Sequence, residues 1–449
     1  MDLKKKNSLK GICAFASIFL MILSAVMVPV FVSDSFSMVV VVGTVLFCAF
    51  AILLVDFRRL NVYKYRLMYY IPVLIVGVSF LINGLLFKVV GYIAIGLVFA
   101  VILPFVHKCL SSNDTGNACL IIAKGVVFCF ISFYILSVMF GPSLEVDQYT
   151  SFLANPNIIG CFASITVASL VFLLLQCKGK NNKSFYVWLL VLGISISMCF
   201  FSYSRTNMLA ILLQLFVVII LEAVSFFRDK ERKPISRVLK KGIAILLIMT
   251  VGFAVFYLSL QYNKTIFPFT LEDFFLDGDE IVSEIGGASD DKVSFLESMQ
   301  VGEERFGKGL EEKDSYAFTS GRTMIWNTYL KKITVLGHEK ESLSIALADR
   351  VIEDTNAHNV YLQVAYSAGI VAGIALFIYV AIMGVELMIR NLKFIIKGDK
   401  LSNELIFLEM AFFAFAVSSL TSAGYMMFTY LPATLFWMLS YVISMKEKN

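Results

Sequence analysis

The sequence predicts an all-α membrane protein that crosses the bilayer many times. Hydrophobic residues make up 59% of the 449 residues, charged residues make up only 16%, and the mean hydropathy is +0.81. Apolar runs of about 20 residues, the length of a helix that crosses a bilayer, recur along most of the chain. Lys and Arg gather in alternate connections between these runs. Together these features are typical of integral membrane proteins.

The apolar runs predict about twelve transmembrane helices. Pro432 interrupts the twelfth run and the last two runs could be misjoined, so a count of about eleven to thirteen stays open. The predicted helices lie near residues 11–32, 36–55, 67–87, 89–106, 119–140, 157–176, 185–201, 206–227, 242–262, 359–388, 404–421 and 424–443.

The distribution of Lys and Arg predicts that both termini are cytoplasmic, because cytoplasmic connections carry an excess of these residues. The short connections predicted to lie outside hold almost no basic residue besides Lys88 and Arg205. The net charge of +5 follows from this bias, so no nucleic-acid partner is expected. The basic clusters of the predicted inner segments lie at 4–10, 58–66, 178–183, 228–241 and 390–400.

The first predicted span follows a basic N-terminus, but it is too long for a signal peptide and lacks a small-residue cleavage site. We expect it to remain as a membrane helix. The eight cysteines all lie outside the large polar segment described next, and none has CxxC spacing. The sequence therefore predicts no disulfide framework, no metal site and no cofactor.

One long polar, acidic segment divides the membrane spans. Residues 1–262 hold nine predicted spans, 263–357 form a large extracytoplasmic loop, and 358–449 hold the last three spans, all within one integrated membrane domain. A loop of this length is usually functional or disordered. Its first half is rich in glycine and irregular.

The second half of this loop carries helical patterning at 323–333 and again at 342–352, so the loop is predicted to be partly helical. Trp326 and Tyr329 would suit a helix that lies on the membrane interface, where aromatic side chains of this kind are enriched.

Two arginines stand where predicted helices begin on the outer face. Arg205 follows Ser202-Tyr203-Ser204 at the start of the eighth span, and Arg322 follows Ser320-Gly321 at the start of the loop helix. A helix N-terminus offers unpaired N–H groups to an anion, and a guanidinium group binds phosphate oxygens in bidentate fashion. Either arginine alone also fits a snorkelling or surface cation.

His358 is the histidine best placed for proton transfer. Thr355 or Asn356 is predicted to cap the helix that becomes the tenth span, which puts His358 in its first turn, where the helix dipole favours a neutral imidazole. A neutral imidazole can act as a general base. The alternative is a capping or interface histidine. His107 is predicted to be a solvated loop residue and His338 to lie at a turn.

Other charged residues near the spans are interpreted conservatively. Lys88 is a candidate third cation near the outer site, and Asp147 is a candidate acidic partner. The absence of charge at mid-depth in several spans argues against an ion-coupled transporter. Lys124, Glu222, Glu386 and Glu409 fall near predicted inner helix ends, where their side chains can snorkel.

These motifs together resemble the O-antigen ligase and polymerase family over about residues 150–390. The resemblance is carried by several short strings: Asn155-Pro156-Asn157, Ser204-Arg205, Ser320-Gly321-Arg322 with Trp326, Leu336-Gly337, and Ala357-His358-Asn359 running with Tyr361-Leu362 into a span that holds Gly369 and Gly373. The chain departs from the family at Gly337-His338-Glu339, where Gly-x-Gly is common.

The resemblance implies a metal-independent glycosyltransferase of the type C kind in a bacterial cytoplasmic membrane. Such an enzyme takes a glycan from undecaprenyl-pyrophosphate on the outer leaflet and passes it to an acceptor sugar hydroxyl, without a nucleotide sugar. The implied partners are the lipid-linked glycan, an acceptor glycan and the lipid bilayer, with a flippase and a chain-length regulator as further candidates.

The resemblance also implies roles for individual residues. Arg205 and Arg322 match the arginines that hold the pyrophosphate, and His358 matches the histidine that activates the acceptor. Supporting roles are expected for Lys88, Asn157, Ser320 and Asn359.

We therefore expect a polymerase of capsule, exopolysaccharide or O-antigen repeat units. The alternatives are a ligase that transfers glycan to a lipid A core or a protein and, from a different class, a polysaccharide transporter or flippase.

Overall fold

Helices dominate the structure, a computed structural model. Most residues of the predicted loop, including Ser320, and also Asp147, lie outside the described residues. The structure describes residues 3–31, 36–139, 144–145, 148–149, 156–177, 183–228, 235–266, 322–346, 351–399, 401–422, 424 and 428–447.

The helices follow the predicted apolar runs. Those before the large loop are α1 (Leu3–Phe31), α2 (Phe36–Leu54), α3 (Leu67–Phe87), α4 (Val90–Leu97), α5 (Leu103–Ser112), α6 (Thr115–Met139), α7 (Pro156–Gln176), α8 (Lys183–Phe201), α9 (Arg205–Arg228) and α10 (Ile235–Ile266), with a π-helical turn (Val98–Ile102) joining α4 to α5. Those after it are α11 (Arg322–Lys332), α12 (Val360–Ala368), α13 (Ile370–Lys397), α14 (Asn403–Ser419), α15 (Leu431–Leu439) and α16 (Tyr441–Ser444).

The strands of the described residues form short antiparallel pairs. They are β1 (Tyr63–Tyr65) with β6 (Met445–Glu447), β2 (Leu144–Glu145) with β3 (Gln148–Tyr149), and β4 (Leu343–Ala346) with β5 (Val351–Thr355).

Eight helices of the described residues are long and apolar enough to cross a membrane. The segment Val90–Ser112 counts as one of them, because α4, the π-helical turn and α5 run on continuously. Three shorter apolar helices are Val39–Leu54, Ile245–Gln261 and Leu431–Ser444. The chain is therefore an α-helical membrane protein, as predicted, while the number of spans stays a prediction.

The predicted helix at 342–352 is wrong, because its described residues belong to strands β4 and β5. Ile345 pairs with Ile352, and Leu343 pairs with Thr355. The apolar residues Leu343, Ile345 and Leu347 alternate with a period of two, and Val351 and Ile352 are β-branched. Both features favour a strand over a helix.

The predicted tenth span is also not one helix. Gly369 interrupts it between α12 and α13, with φ = 94°. A Cβ atom at Gly369 would collide with the carbonyl oxygen of Val335. Glycine is therefore needed both for the backbone conformation and for the close approach.

One compact unit comprises residues 1–28, 33–121 and 305–449. In it α3 packs against α4 and α13, and α14 packs against α15. Trp437 of α15 is buried and stacks on Tyr379 of α13, with ring centroids 4.9 Å apart. Burial of such large aromatic side chains stabilises the packing of these helices.

His107 lies inside this unit, so its prediction as a solvated loop residue is wrong. It belongs to α5 and is buried. Its Nδ1 lies 2.8 Å from the Tyr70 hydroxyl, and its Nε2 lies 2.9 Å from the Trp437 carbonyl oxygen. Both ring nitrogens have partners, as a buried imidazole requires.

Glu409 is likewise not a snorkelling residue. Its side chain is only 3% exposed within α14 and accepts a hydrogen bond from Asn391 of α13. Glu386 differs from Glu409, because it is partly exposed and forms two salt bridges. Its Oε1 lies 3.3 Å from Nη1 of Arg66 and 2.9 Å from Nη2 of Arg390.

The second compact unit comprises residues 29–32 and 122–304. In it α7 packs against α8 and α9, and α8 packs against α10. The last pair meets closely at glycines: a Cβ atom at Gly193 would lie 2.5 Å from the Met249 carbonyl oxygen, and one at Gly252 would lie 2.5 Å from that of Leu190. Small residues at such crossings let helix backbones approach closely in a membrane.

The predicted orientation, with both termini cytoplasmic, can be tested by labelling in intact cells. A cysteine introduced as Asp290→Cys should react with a membrane-impermeant thiol reagent, whereas Lys233→Cys should react only after the cells are opened. Both positions lie outside the described residues, and labelling reports only the side of the membrane. The reverse pattern would show that the orientation is inverted.

Candidate active site

The first unit brings Arg322 and His358 into electrostatic contact. Arg322 is the first residue of α11, and His358 lies just before Val360, the first residue of α12. The two helices pack together, and both side chains are half-buried. Arg322 thus begins one of two packed helices, and His358 lies two residues before the first residue of the other.

The chain around His358 is held in an unusual conformation. His358 has φ = 45°, in the left-handed region that L side chains rarely adopt. Its N–H donates to Oδ1 of Asn356 at 3.0 Å. Strain of this kind costs about 1–3 kcal/mol and persists where surrounding contacts impose it, which is common at functional sites.

The cap of α12 differs from the prediction. Asn359, and neither Thr355 nor Asn356, is the N-cap: its Oδ1 accepts from the N–H groups of Tyr361 at 3.0 Å and Leu362 at 3.1 Å. His358 therefore precedes the helix and does not lie in its first turn. Asn359, expected to support the site, fixes the start of α12 immediately after the histidine.

The pKa of His358 is lowered from its ordinary value, chiefly because burial disfavours the imidazolium and also because the Arg322 guanidinium repels it. The predicted neutral form is thus favoured, but through burial and Arg322 and not through a place in the first helical turn. A neutral imidazole at neutral pH can accept a proton.

Helix α11 is anchored by Tyr329, which contradicts the prediction that this residue lies on the membrane interface. Tyr329 is fully buried in a cluster with Leu343, Ala357 and Tyr366. Its hydroxyl donates to the Thr355 carbonyl oxygen at 2.7 Å, and burial raises its pKa. Tyr329 thus fixes α11, and Arg322 with it, against the segment that carries His358.

Gln363 also holds the segment that carries His358, and it was not identified from the sequence. Its Oε1 accepts from the Ala357 N–H at 2.9 Å, and its Nε2 donates to the Glu341 carbonyl oxygen at 2.7 Å and to the Ser367 hydroxyl at 3.2 Å. It is 2% exposed. The available signal was a lone amide side chain within an apolar helix.

The connection that follows α11 packs against the membrane helix α3. Gly337 has φ = 86°, and a Cβ atom there would lie 2.8 Å from Nδ2 of Asn83 in α3. His338, predicted to lie at a turn, lies in this irregular connection, and its ring stacks on Tyr366 with ring centroids 4.2 Å apart. Glu339, which stands where the resembled motif commonly has glycine, is exposed and does not prevent this geometry.

The second unit holds Arg205 as the first residue of α9, with an exposed side chain. The Ser204 hydroxyl donates to Oδ1 of Asn157 at 3.2 Å, and Nδ2 of Asn207 donates to the Ser204 hydroxyl at 2.8 Å. Asn157 therefore joins the start of α7 to the residue before Arg205. Tyr203 has φ = 48°, a second left-handed residue beside a candidate site residue.

Lys88 is the C-cap residue of α3 and is exposed, with φ = 58°. It lies in the turn between α3 and α4, as predicted. Within the described ranges no group of three or more His, Cys, Asp or Glu side chains is arranged to hold a metal ion.

Gln363→Leu is expected to destabilise the protein. The substitution leaves the buried Ala357 N–H without its acceptor, and each such loss costs about 1–3 kcal/mol. The thermal unfolding midpoint in detergent should fall clearly, whereas Lys340→Leu, an exposed change nearby, should leave it nearly unchanged. Equal midpoints for both variants would show that Gln363 does not hold this segment.

Comparisons with protein-family models, with curated proteins and with solved structures find no match for this chain. The resemblance described above therefore rests on the motifs alone, and the roles it implies for Arg205, Arg322 and His358 stay predictions.

Proposed function

We propose that this protein polymerises lipid-linked oligosaccharide repeat units on the outer face of the cytoplasmic membrane. The donor is a glycan on undecaprenyl-pyrophosphate, and the acceptor is a sugar hydroxyl of another lipid-linked unit. The observation that carries the proposal is the electrostatic interaction between the Arg322 guanidinium and the half-buried His358, which lie at or just before the beginnings of two packed helices.

The electrostatics of this pair suit transfer from a pyrophosphate. Arg322 at the N-terminus of α11 is unfavourable for the helix dipole by itself, and a bound anion would reverse this. His358 stays neutral because of its burial and because of Arg322. A cation for the leaving group and a base for the acceptor thus interact electrostatically.

The reaction follows from these roles. His358 takes the proton from the acceptor hydroxyl as its oxygen forms a bond to the anomeric carbon of the donor. The bond between that carbon and the phosphate oxygen breaks, and undecaprenyl-pyrophosphate leaves with the electron pair. Arg322 offsets the charge that grows on the leaving oxygen, which is the type of stabilisation that contributes most in many enzymes. The pyrophosphate-binding role of Arg205 is a separate prediction.

A polysaccharide transporter is the alternative from another class. Glu409 weakens one argument against it, because this carboxyl group is buried within a helix of the predicted eleventh span. Its hydrogen bond to Asn391 gives it a structural role in joining α13 to α14. The strained, capped segment around His358 favours the transferase, since transport requires no base at this position.

The decisive experiment supplies purified protein in liposomes with undecaprenyl-pyrophosphate-linked repeat units, without nucleotide sugar and with a chelator present. Formation of longer glycans with release of undecaprenyl-pyrophosphate supports the polymerase. Products only after addition of lipid A core or an acceptor protein would instead indicate a ligase. Movement of the lipid-linked unit across the bilayer without chain growth would overturn the transferase assignment.

A further inference from the structure

An apolar turn follows α11, and its large side chains are exposed. Val335 and Leu336 are 69% and 51% exposed, and Leu330, near the end of α11, is 56% exposed. Large apolar side chains that cluster in this way on a surface commonly mark a site of contact with another apolar phase or partner. We call residues 333–336 the docked turn.

The docked turn continues a surface that a membrane already covers. The Thr334 carbonyl oxygen accepts a hydrogen bond from the N–H of Ile370 at 3.0 Å, so the turn abuts the first residue of the membrane-spanning helix α13. On α13 the exposed apolar face begins there, with Ile370, Val371 and Ile374 each at least 42% exposed. Exposed apolar side chains therefore lie on both sides of this junction, on the spanning helix and on the turn.

The depth of the turn follows from its contact with α3. Gly337, the residue that follows the turn, lies against Asn83, whose Nδ2 also donates to the His338 carbonyl oxygen at 3.2 Å. Asn83 lies four residues before Phe87, the last residue of the membrane-spanning helix α3. At 1.5 Å per residue, the turn lies about 6 Å inside the end of that helix.

Charged residues border the apolar turn on both sides. Lys331 and Lys332 precede it, and Glu339 and Lys340 follow it, all with exposed side chains. Such residues prefer the aqueous headgroup region and can extend away from the acyl chains. The pattern fits a short segment that dips into one leaflet and returns.

We propose that the docked turn inserts Val335 and Leu336 into the acyl-chain boundary of the leaflet at the C-terminal end of α3. Its partner is the lipid bilayer itself, which by the predicted orientation is the outer leaflet. The inserted turn fixes the depth of α11, and therefore of Arg322, relative to the membrane surface. This inference depends on the position of the turn and is independent of the proposed enzymatic activity.

The test places a fluorescent bimane label on single cysteines in a variant that lacks the eight native cysteines, reconstituted in liposomes. Val335→Cys should be quenched by phospholipids brominated near the top of their acyl chains and protected from aqueous iodide. The matched control is Glu339→Cys, on the same connection, which should be quenched by iodide several-fold more strongly than by brominated lipid.

Two results would overturn the inference. Quenching of the Val335 label by iodide to the same degree as the Glu339 label would place the turn in water. Protection of the Val335 label from both quenchers would show that protein, either another segment or a second copy, covers it. A thermal unfolding midpoint equal to that of the unsubstituted background establishes that each labelled variant is folded.

Discussion

His358→Ala is expected to lower the rate of glycan transfer by about 10²–10⁴-fold, the usual contribution of a general base. The substitution removes the half-buried neutral imidazole beside Arg322 and leaves Asn359 free to cap α12. Binding of the lipid-linked donor should change little, because His358 acts on the acceptor. The measurement is the initial rate of polymer formation by purified protein, with donor binding measured in parallel.

The control for this change is His338→Ala. His338 stacks on Tyr366 and lies in the same unit, but it does not share the strained, capped segment of His358. Its loss should therefore alter the rate much less. A rate for His358→Ala within a few-fold of the wild-type rate would contradict the base role. His358 could then only orient the acceptor.

Arg322→Gln is expected to lower kcat by about 10²–10³-fold, the cost of removing one group that stabilises charge in the transition state. It should also change the pH dependence. Burial lowers the pKa of His358 most and the Arg322 guanidinium lowers it further, so removal of the guanidinium should raise that pKa. The base then becomes protonated at a higher pH, so the acidic limb of the pH–rate profile should move to higher pH.

Arg322→Lys separates charge from geometry. Lysine keeps the positive charge, so the acidic limb should stay near its wild-type position, but the rate should fall because the planar, bidentate group is lost. Lys331→Gln, at the exposed far end of α11, is the matched control for the loss of one positive charge. An unchanged rate and an unchanged pH profile for Arg322→Gln would refute both the clamp and its contact with His358.

Arg205 is tested by the same assay with Arg205→Lys, and a large loss of polymer at a normal protein level is expected for the same geometric reason. Full activity in both Arg205→Ala and Arg322→Ala would end the assignment of these arginines to the pyrophosphate.

The sequence by itself determined that the chain is a helical membrane protein and where most helices begin. Long apolar runs have few alternatives to helices in a bilayer, because every backbone polar group must be satisfied within the segment. The same reasoning located Arg205 and Arg322 at helix starts, since the Ser204-Arg205 and Ser320-Gly321-Arg322 strings precede an apolar and a periodic segment.

Other features depended on contacts between residues far apart in the chain, which local pattern does not encode. The break at Gly369 depends on the approach of Val335, and the pairing of β4 with β5 depends on cross-strand neighbours. The burial of His107 and Glu409 depends on partners in other helices.

The candidate site shows the same division. The sequence singled out His358, but its neutral state arises from burial and from Arg322, 36 residues earlier in the chain. Gln363 and Tyr329 hold the segment in place, but the sequence did not identify Gln363 and predicted an interface position for Tyr329. Only the tertiary structure decided their roles, because a hydrogen bond or a buried charge is defined by what surrounds it in space.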